Sequence, residues 1–581
     1  MAKRSRASAI AFVGWAVLAL AAPDQASAAP ENSCKLTTLA QLPVTMVDRR
    51  ALVKAMVNGV GMPFIADSGA IFSMLSPASA TRLDLQRRAA PDGFTMAGVG
   101  GAIDVSLARV DSFGLAGRTL RDVDFLVGGG EAGAVGLLGQ NVLSVADAEY
   151  DLGGGMIRLV DSGGCTERTL ADRAGGKPVS VLDIEPLVQF RRHITGRGTI
   201  NGMPLRVAFD TGAPTTLLSL AAAQRVGIKP GDPGVVASGT ASGLGGMIKQ
   251  SWIVPAAHYR IAGVEIHGDP LRIADIGAVP FDLLVGADFF LSHRVLAAYS
   301  QNRLYFVDMT NPPGQPLPEL ASADAYGRRG AALASRKDLD DAIADFTRAI
   351  AMAPKDPHYL VQRATARLDR NEALLARHDL DLALDIQPDF VEALLARATL
   401  YFADRNLGPA RSDLAAASKV APREADERFT FAALYAGLED WRASLDQFDL
   451  WIPAHPGDYR QGAARNARCW ARAMLGAALR QALDDCNAAV QLQPDDMEYF
   501  DSRGLVQLRL GDWSRAITDY DRALAKQPDL AWSLYGRGLA KLRQGREAEG
   551  RADIAAAIKL DPEMPSKAVR IGLISSASDP R

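Results

Sequence analysis

Phe64-Ile65-Ala66-Asp67-Ser68-Gly69-Ala70 and Val207-Ala208-Phe209-Asp210-Thr211-Gly212-Ala213 are the two stretches on which the reading of this 581-residue chain turns. Each is a short apolar run, of strand length and composition, that ends in D-[ST]-G-A. A hydroxyl residue follows six positions after each aspartate, as Ser73 and Thr216, and apolar residues come next. A lone D-S-G or D-T-G is an ordinary turn. Here the surroundings repeat as well. Gly61-Met62-Pro63 and Gly202-Met203-Pro204 precede the two aspartates, and Gly98-Val99-Gly100-Gly101 and Gly243-Leu244-Gly245-Gly246 follow them. Leu137-Leu138-Gly139 and Leu284-Val285-Gly286 come next, at nearly the same distance beyond the respective aspartate. A closing strand, Met156–Val160 or Arg303–Val307, ends each copy. Residues 36–160 and 182–307 read as two copies of one β-rich lobe.

This order of motifs resembles the aspartic proteases, in particular the retropepsin-like lobe with its D-[ST]-G-A loop, glycine-rich flap and apolar-apolar-glycine strand. The likeness spans both lobes. It implies that the two D-[ST]-G loops face each other within one chain, as in the pepsin-like enzymes, with no need for a homodimer. It assigns Asp67 and Asp210 as a catalytic dyad. Two carboxylates a few Å apart do not both ionise readily, so they share a proton. The ionised member then takes a proton from a bound water while the other polarises the scissile carbonyl. Which aspartate takes which part stays open in the sequence. In the same likeness Gly69 and Gly212 permit the tight loops, Ser68 and Thr211 tie the loops together, and Gly98, Gly100, Gly101, Gly243, Gly245 and Gly246 belong to flaps. Retropepsins more often carry an arginine beside the third glycine; here Gln140-Asn141 and Ala287-Asp288 stand there.

The second half follows a different rule. Prolines at 354, 388, 422 and 456 are evenly spaced, and Pro494, Pro528 and Pro562 resume the same period after one longer step. Alanines recur five and twelve positions before most of them, as Ala349 and Ala342 do before Pro354. Small residues at such offsets let two antiparallel helices approach, and the proline ends the second. The pattern resembles the tetratricopeptide repeat (TPR), about seven units over residues 321–562, a solenoid that offers a concave surface to protein partners. Arg329, Arg363, Arg397, Arg503 and Arg537 share the period. Asp345, Asp379, Asp413, Asp519 and Asp553 follow them at one constant offset. We expect an Arg–Asp pair inside each repeat rather than a basic ladder for a ligand. The fold class is thus multidomain: an all-β bilobal aspartic protease fold, a Pro-rich linker over 308–320, an all-α solenoid, and a tail over 563–581.

Composition narrows the function classes. Lys and Arg number 64 against 67 Asp and Glu, a net charge of −3 that gives no footprint for nucleic acid. Of 53 glycines, 38 fall in residues 1–307, which separates a turn-rich half from a helical one. Lys3, Arg4 and Arg6, the apolar run 9–22 and Ala26-Ser27-Ala28 read as a signal peptide over 1–28, with an uncleaved anchor as the alternative. We expect an exported protein, periplasmic or secreted, with no stable membrane span after cleavage. In an oxidising compartment the four cysteines favour two local disulfides, Cys34–Cys165 and Cys469–Cys486, of the three connectivities they allow. No H-E-x-x-H, C-x-x-C, P-loop or G-x-S-x-G occurs, so no metal and no cofactor is expected. The expected function is an aspartic-type endopeptidase acting on peptide or protein substrates, with a protein partner on the TPR surface. A catalytically inactive peptide-binding scaffold, or a TPR adaptor, is the alternative.

Overall fold

The computed structural model describes residues 36–576, apart from 48, 92–93, 95, 99–100, 130–135, 164, 168–169, 172–175, 188–192, 242–248, 255–258, 267–270, 278 and 311–315. In the first lobe Arg50–Val57 alternates buried and less buried residues along its length, the period of a strand with one face in the core. Asn58 and Gly59, both with positive φ (50° and 81°), reverse the chain into Val60–Ala66. Asn201 and Gly202 (49° and 76°) do the same between Ile194–Ile200 and Met203–Phe209 in the second lobe. These two-residue turns match strand twist and fix the hairpin register. They therefore fix where each strand ends, and both strands end immediately before a D-[ST]-G.

The apolar-apolar-glycine segments lie beside those strand ends. Gly136–Leu138 runs parallel to Phe64–Ala66 and antiparallel to Met74–Leu75. Leu283–Val285 repeats this against Val207–Phe209 and Leu217–Leu218. Each lobe is thus a crossed set of strands over an apolar centre that includes Phe64, Phe113 and Phe125 in one, Phe209, Phe289 and Phe290 in the other.

One sheet joins the lobes. Ser180–Asp183, Arg303–Asp308 and His293–Ala298 are followed, in spatial order, by Asp147–Asp151, Met156–Asp161 and Thr37–Val47. All neighbours are antiparallel, and the crossing between lobes is the register Ala148↔Ala297, Glu149↔Leu296, Tyr150↔Val295.

Beyond the strands the chain is helical. Seven antiparallel pairs run from Ala323–Ser335 with Leu339–Met352 to Ala531–Arg543 with Glu547–Leu560. The segment 563–581, expected as a tail, opens with one more helix, Met564–Arg570, which buries Met564 and Ala568 against the last repeat. It covers an apolar face that a terminal repeat would otherwise leave open. The expected Arg–Asp pairs form in all five units. Arg397, for example, donates from Nε and Nη2 to both oxygens of Asp413 (2.7 and 2.8 Å). The same arginine donates from Nη1 to Asp381 of the preceding repeat (2.8 Å), so the ladder joins repeats as well as helices. In the fifth unit Cys469 holds the arginine position and is disulfide-bonded to Cys486, Cα to Cα 5.6 Å. Arg468, one position earlier, takes over Asp485. Cys165 is also disulfide-bonded; Cys34, its expected partner, lies outside the described residues.

The solenoid is not a free appendage. Ala323–Ser335 packs on Thr37–Val47, and Ala331, Ala332, Leu333 and Phe346 belong to the same buried cluster as the lobes. Arg49 Nε donates to the Ser335 carbonyl (3.0 Å). Further along, Trp441–Ala454 reaches the lobe-one helix Pro77–Arg82.

Candidate active site

Each candidate aspartate is held first by its own backbone. The Asp67 N–H donates to the Leu138 carbonyl and the Asp210 N–H to the Val285 carbonyl, both at 2.9 Å. The parallel strands beside them therefore pin the start of both loops. Ser73, six positions past Asp67, accepts from Gly139 N (3.0 Å) and donates to Asn141 Oδ1 (2.9 Å). Thr216 does the same with Gly286 N (3.1 Å) and Asp288 Oδ1 (2.8 Å). The hydroxyl at that spacing is thus what ties each loop to its glycine strand.

The two loops then lock onto each other. Ser68 N donates to Thr211 Oγ1 (3.0 Å), and Thr211 N donates to Ser68 Oγ (2.9 Å). The hydroxyls in turn donate to the opposite strand, Ser68 Oγ to the Phe209 carbonyl (3.1 Å) and Thr211 Oγ1 to the Ala66 carbonyl (2.6 Å). Both residues are fully buried, and these four bonds join positions 141 to 145 residues apart. Buried hydroxyls with every bond made fix geometry far more tightly than apolar contact does.

The glycines show how near the carboxyl groups lie. A Cβ on Gly212 would stand within 2.8 Å of all three carboxyl atoms of Asp67, and a Cβ on Gly69 would overlap the carboxylate of Asp210. Each aspartate is therefore seated on the opposite loop's glycine, and no larger residue fits there. Asp67 Oδ1 accepts from Gly69 N and Ala70 N, both 2.8 Å, and Asp210 Oδ1 accepts from Gly212 N at 2.8 Å. Backbone amides of each loop thus help to fix the carboxylate rotamers.

Residues that no motif marks complete the floor. Gln140, fully buried, donates from Nε2 to the Ser68 carbonyl (2.8 Å) and accepts from the Tyr299 hydroxyl of the other lobe (3.4 Å). The Tyr150 and Tyr299 hydroxyls stand 3.4 Å apart. Burial pushes the Tyr299 phenol up to about 12 and the Tyr150 phenol well above its ordinary value, so both remain neutral donors. The unusual Gln140 beside Gly139 is thus a cross-lobe link, and its counterpart Ala287 in lobe two has no such reach. Among the flap candidates, Gly98 and Gly101 pair across a small hairpin of Met96–Gly98 with Gly101–Ile103. Gly100, Gly243, Gly245 and Gly246 lie outside the described residues; Val236–Ala241 and Lys249–Val254 bracket the latter three as paired strands. Among the described residues, no group of His, Cys, Asp and Glu is placed to hold a metal ion.

Comparison with known families agrees with this geometry. Residues 53–145 match the gag-polyprotein putative aspartyl protease family, and residues 197–289 match the aspartyl protease family. Residues 323–356 and 502–565 match tetratricopeptide repeat families. The chain carries two aspartyl-protease-like lobes and a tetratricopeptide-repeat solenoid. No curated protein matches it in sequence. Solved structures that resemble it include repeat proteins. One is a tetratricopeptide repeat protein from Parabacteroides merdae ATCC 43184, at 17% identity over 44% of this chain and 99% of that one, TM-score 0.31. YrrB, a TPR protein with an unusual peptide-binding site, matches at 16% identity over 39% and 98%, TM-score 0.23. PilW, a type IV pilus biogenesis factor, matches at 17% over 36% and 96%, TM-score 0.30. Among the described residues, no helix is long and apolar enough to cross a membrane.

Proposed function

We propose that the protein is an exported aspartic endopeptidase whose dyad is Asp67 and Asp210 and whose solenoid binds a protein partner. The observation that carries the catalytic part is the reciprocal seating of each carboxylate on the other loop's glycine, Asp67 on Gly212 and Asp210 on Gly69. Carboxyl groups brought that close share one proton, which provides an acid and a base in a single site. A water between them loses a proton to the ionised member as it attacks the peptide carbonyl, and the protonated member donates to the carbonyl oxygen. The tetrahedral intermediate collapses as the dyad returns a proton to the leaving amine. The hairpin at 96–103, and the paired strands around 242–248, would cover an extended peptide and exclude bulk water. Support for export comes from the basic, apolar and small-residue order of residues 1–28 and from disulfide-bonded cysteines.

Purified protein incubated with a denatured peptide library, read by mass spectrometry, tests this. Cleavage is expected from the wild type, with loss of at least a thousandfold in Asp67→Asn and Asp210→Asn separately, on the order of what removing a member of a concerted catalytic set costs. Cleavage retained in either variant removes the dyad. Binding of peptides by the wild type without cutting makes the lobes a scaffold.

A further inference from the structure

The face of lobe two that carries Asp210 holds a cation that the mechanism above leaves unused. Side chains alternate between the two faces of a strand. Val207, Phe209, Leu218, Ile273 and Val285 point into the main core. Their strand neighbours Ala208, Leu217, Ala274 and Leu284 form a separate apolar cluster on the opposite face. Asp210, two positions beyond Ala208, continues that face, and Ala213 of its loop packs on the cluster. Arg272 belongs to the face as well, since it pairs with Leu217 in parallel register and stands two positions before Ala274. Its half-buried guanidinium donates from Nη1 to the Ser238 carbonyl (3.0 Å) and the Ser251 hydroxyl (2.9 Å), one on each of the paired strands Val236–Ala241 and Lys249–Val254. The register of those strands shifts between Ala237 and Thr240, which takes Ser238 out of the ladder. Among the described residues, no carboxylate pairs with Arg272, and its Nε and Nη2 have no protein acceptor. Lobe one carries no such charge. Its corresponding parallel pair is Met74↔Leu126, so a leucine stands where lobe two has Arg272.

We propose that Arg272 is a specificity-determining residue that binds an acidic side chain of the peptide substrate, on one side of the scissile bond only. The inference rests on the endopeptidase reading for the cut and on the lobe geometry for the recognition. Ser238 and Ser251 hold the guanidinium by one nitrogen, which sets its plane. The remaining edge, Nε with Nη2, is the fork that takes both oxygens of a carboxylate. In the solenoid that fork is filled from within the chain, as where Arg397 gives Nε and Nη2 to Asp413. At Arg272 the carboxylate has to come from the peptide. A lysine or arginine at the same substrate position meets a like charge and is turned away. The strand order Met203–Phe209, Leu283–Val285, Leu217–Ser219, Leu271–Ala274 puts three strand spacings between Arg272 and the strand that leads to Asp210. That is about 14 Å, the length of about four extended residues. The acidic residue therefore falls within about four positions of the cut. On the other side Leu126 of lobe one offers no counter-charge, so the preference is one-sided.

Two measurements on the full chain test this. First, the denatured peptide library is cut by wild type, Arg272→Gln, Arg272→Lys and Arg272→Glu, and residue frequencies are counted on both sides of each cut. Asp and Glu should be enriched about fivefold over Asn and Gln at one position, on one side. Glutamine keeps a donor for the Ser238 carbonyl but no charge, and should lose the enrichment. Lysine should keep most of it, and glutamate should replace it with Lys and Arg. Second, binding is read without cutting, by comparing the library peptides retained at equilibrium by Asp210→Asn and by Asp210→Asn/Arg272→Gln. The solenoid is the same in both. The first should retain acidic peptides about fivefold better, and the difference should shrink as salt is raised. Cleavage with no acidic preference, or a preference that survives in Arg272→Gln, overturns the proposal, and so does equal retention by the two binding variants. Slower cutting at an unaltered preference makes Arg272 an anchor of the strands around 236–254 and overturns it likewise. A protein that cuts nothing but holds acidic peptides through Arg272 upholds the recognition and defeats the endopeptidase reading instead.

Discussion

Thr211→Val removes one hydroxyl and nothing else of size, at the point where the two lobes hold each other. The Thr211 Oγ1 accepts from Ser68 N at 3.0 Å and donates to the Ala66 carbonyl at 2.6 Å, in a fully buried setting. Valine fills the same volume, so no cavity forms. The loss is instead a stranded donor and a stranded acceptor, each worth about 1–3 kcal/mol when buried without a partner. Allowing for some relaxation, we expect about 3 kcal/mol, or roughly a hundredfold more frequent opening of the loops. Hydrogen exchange followed by mass spectrometry on peptides covering 62–75 and 205–218 reads this directly, and avoids treating a multidomain chain as two-state. Thr211→Ser keeps the hydroxyl and loses a methyl group, about 1 kcal/mol. Protection should therefore fall steeply in the valine variant and little in the serine variant. The Ser68→Ala and Thr211→Val pair should be clearly non-additive, because the residues share bonds. Exchange in Thr211→Val within about threefold of wild type, or equal in the valine and serine variants, refutes the claim that this network holds the loops.

Two further predictions concern the solenoid. Cys469 and Cys486 lie 17 residues apart, so removing the bridge that closes this loop should lower stability by about 3 kcal/mol. Tryptophan fluorescence reports on it through Trp441, Trp451, Trp470, Trp513 and Trp532, and an unchanged urea midpoint in Cys469→Ala/Cys486→Ala would refute the assignment. Burial also pushes the Asp501 carboxyl up to about 6, against the Ser533 hydrogen bond that favours its ionised form, while Glu498 adds to the rise. A carboxyl raised in the folded state favours folding while protonated; its contribution is complete below about pH 4 and is lost as the pH climbs through about 6. Asp501→Asn should gain at most about 3 kcal/mol over wild type at pH 8 and almost nothing at pH 4. Parallel stability curves for the two proteins across that range would contradict it.

The features legible in the sequence were those written locally. A D-[ST]-G-A loop, a hydroxyl six positions on and a regular proline period each occupy a short window, and each has one dominant structural solution. The Arg–Asp pairs were legible because a spacing repeated unchanged from unit to unit is itself a local pattern. Contacts between the lobes left no such trace. Gln140 meets Tyr299 across 159 residues, and nothing near either one announces the other. Arg468 supplies the pair to Asp485 in the fifth repeat, where Cys469 holds the arginine position, because a helix tolerates a shift of one position when a long side chain can still reach its partner. The helix at Met564 was hidden by its shortness, since two turns show too little periodicity to distinguish a cap from a tail.

The sheet shared by the lobes sets a timetable for the newborn chain. Once residues 36–161 have been made, Asp147–Asp151 can pair with Met156–Asp161 on one side only. Its other edge waits for His293–Ala298, which at a synthesis rate of about 5–20 residues per second arrives roughly 7–30 seconds later. An open strand edge over such an interval invites pairing with other chains. Asp147, Glu149 and Asp151 alternate along that edge; Arg158 of the strand already paired answers part of their charge, and the excess negative charge discourages a second copy from docking there. The rightful strand brings Arg294, which reaches Asp151 at 3.3 Å. The same acidic row that turns strangers away thus admits the partner that carries the matching charge.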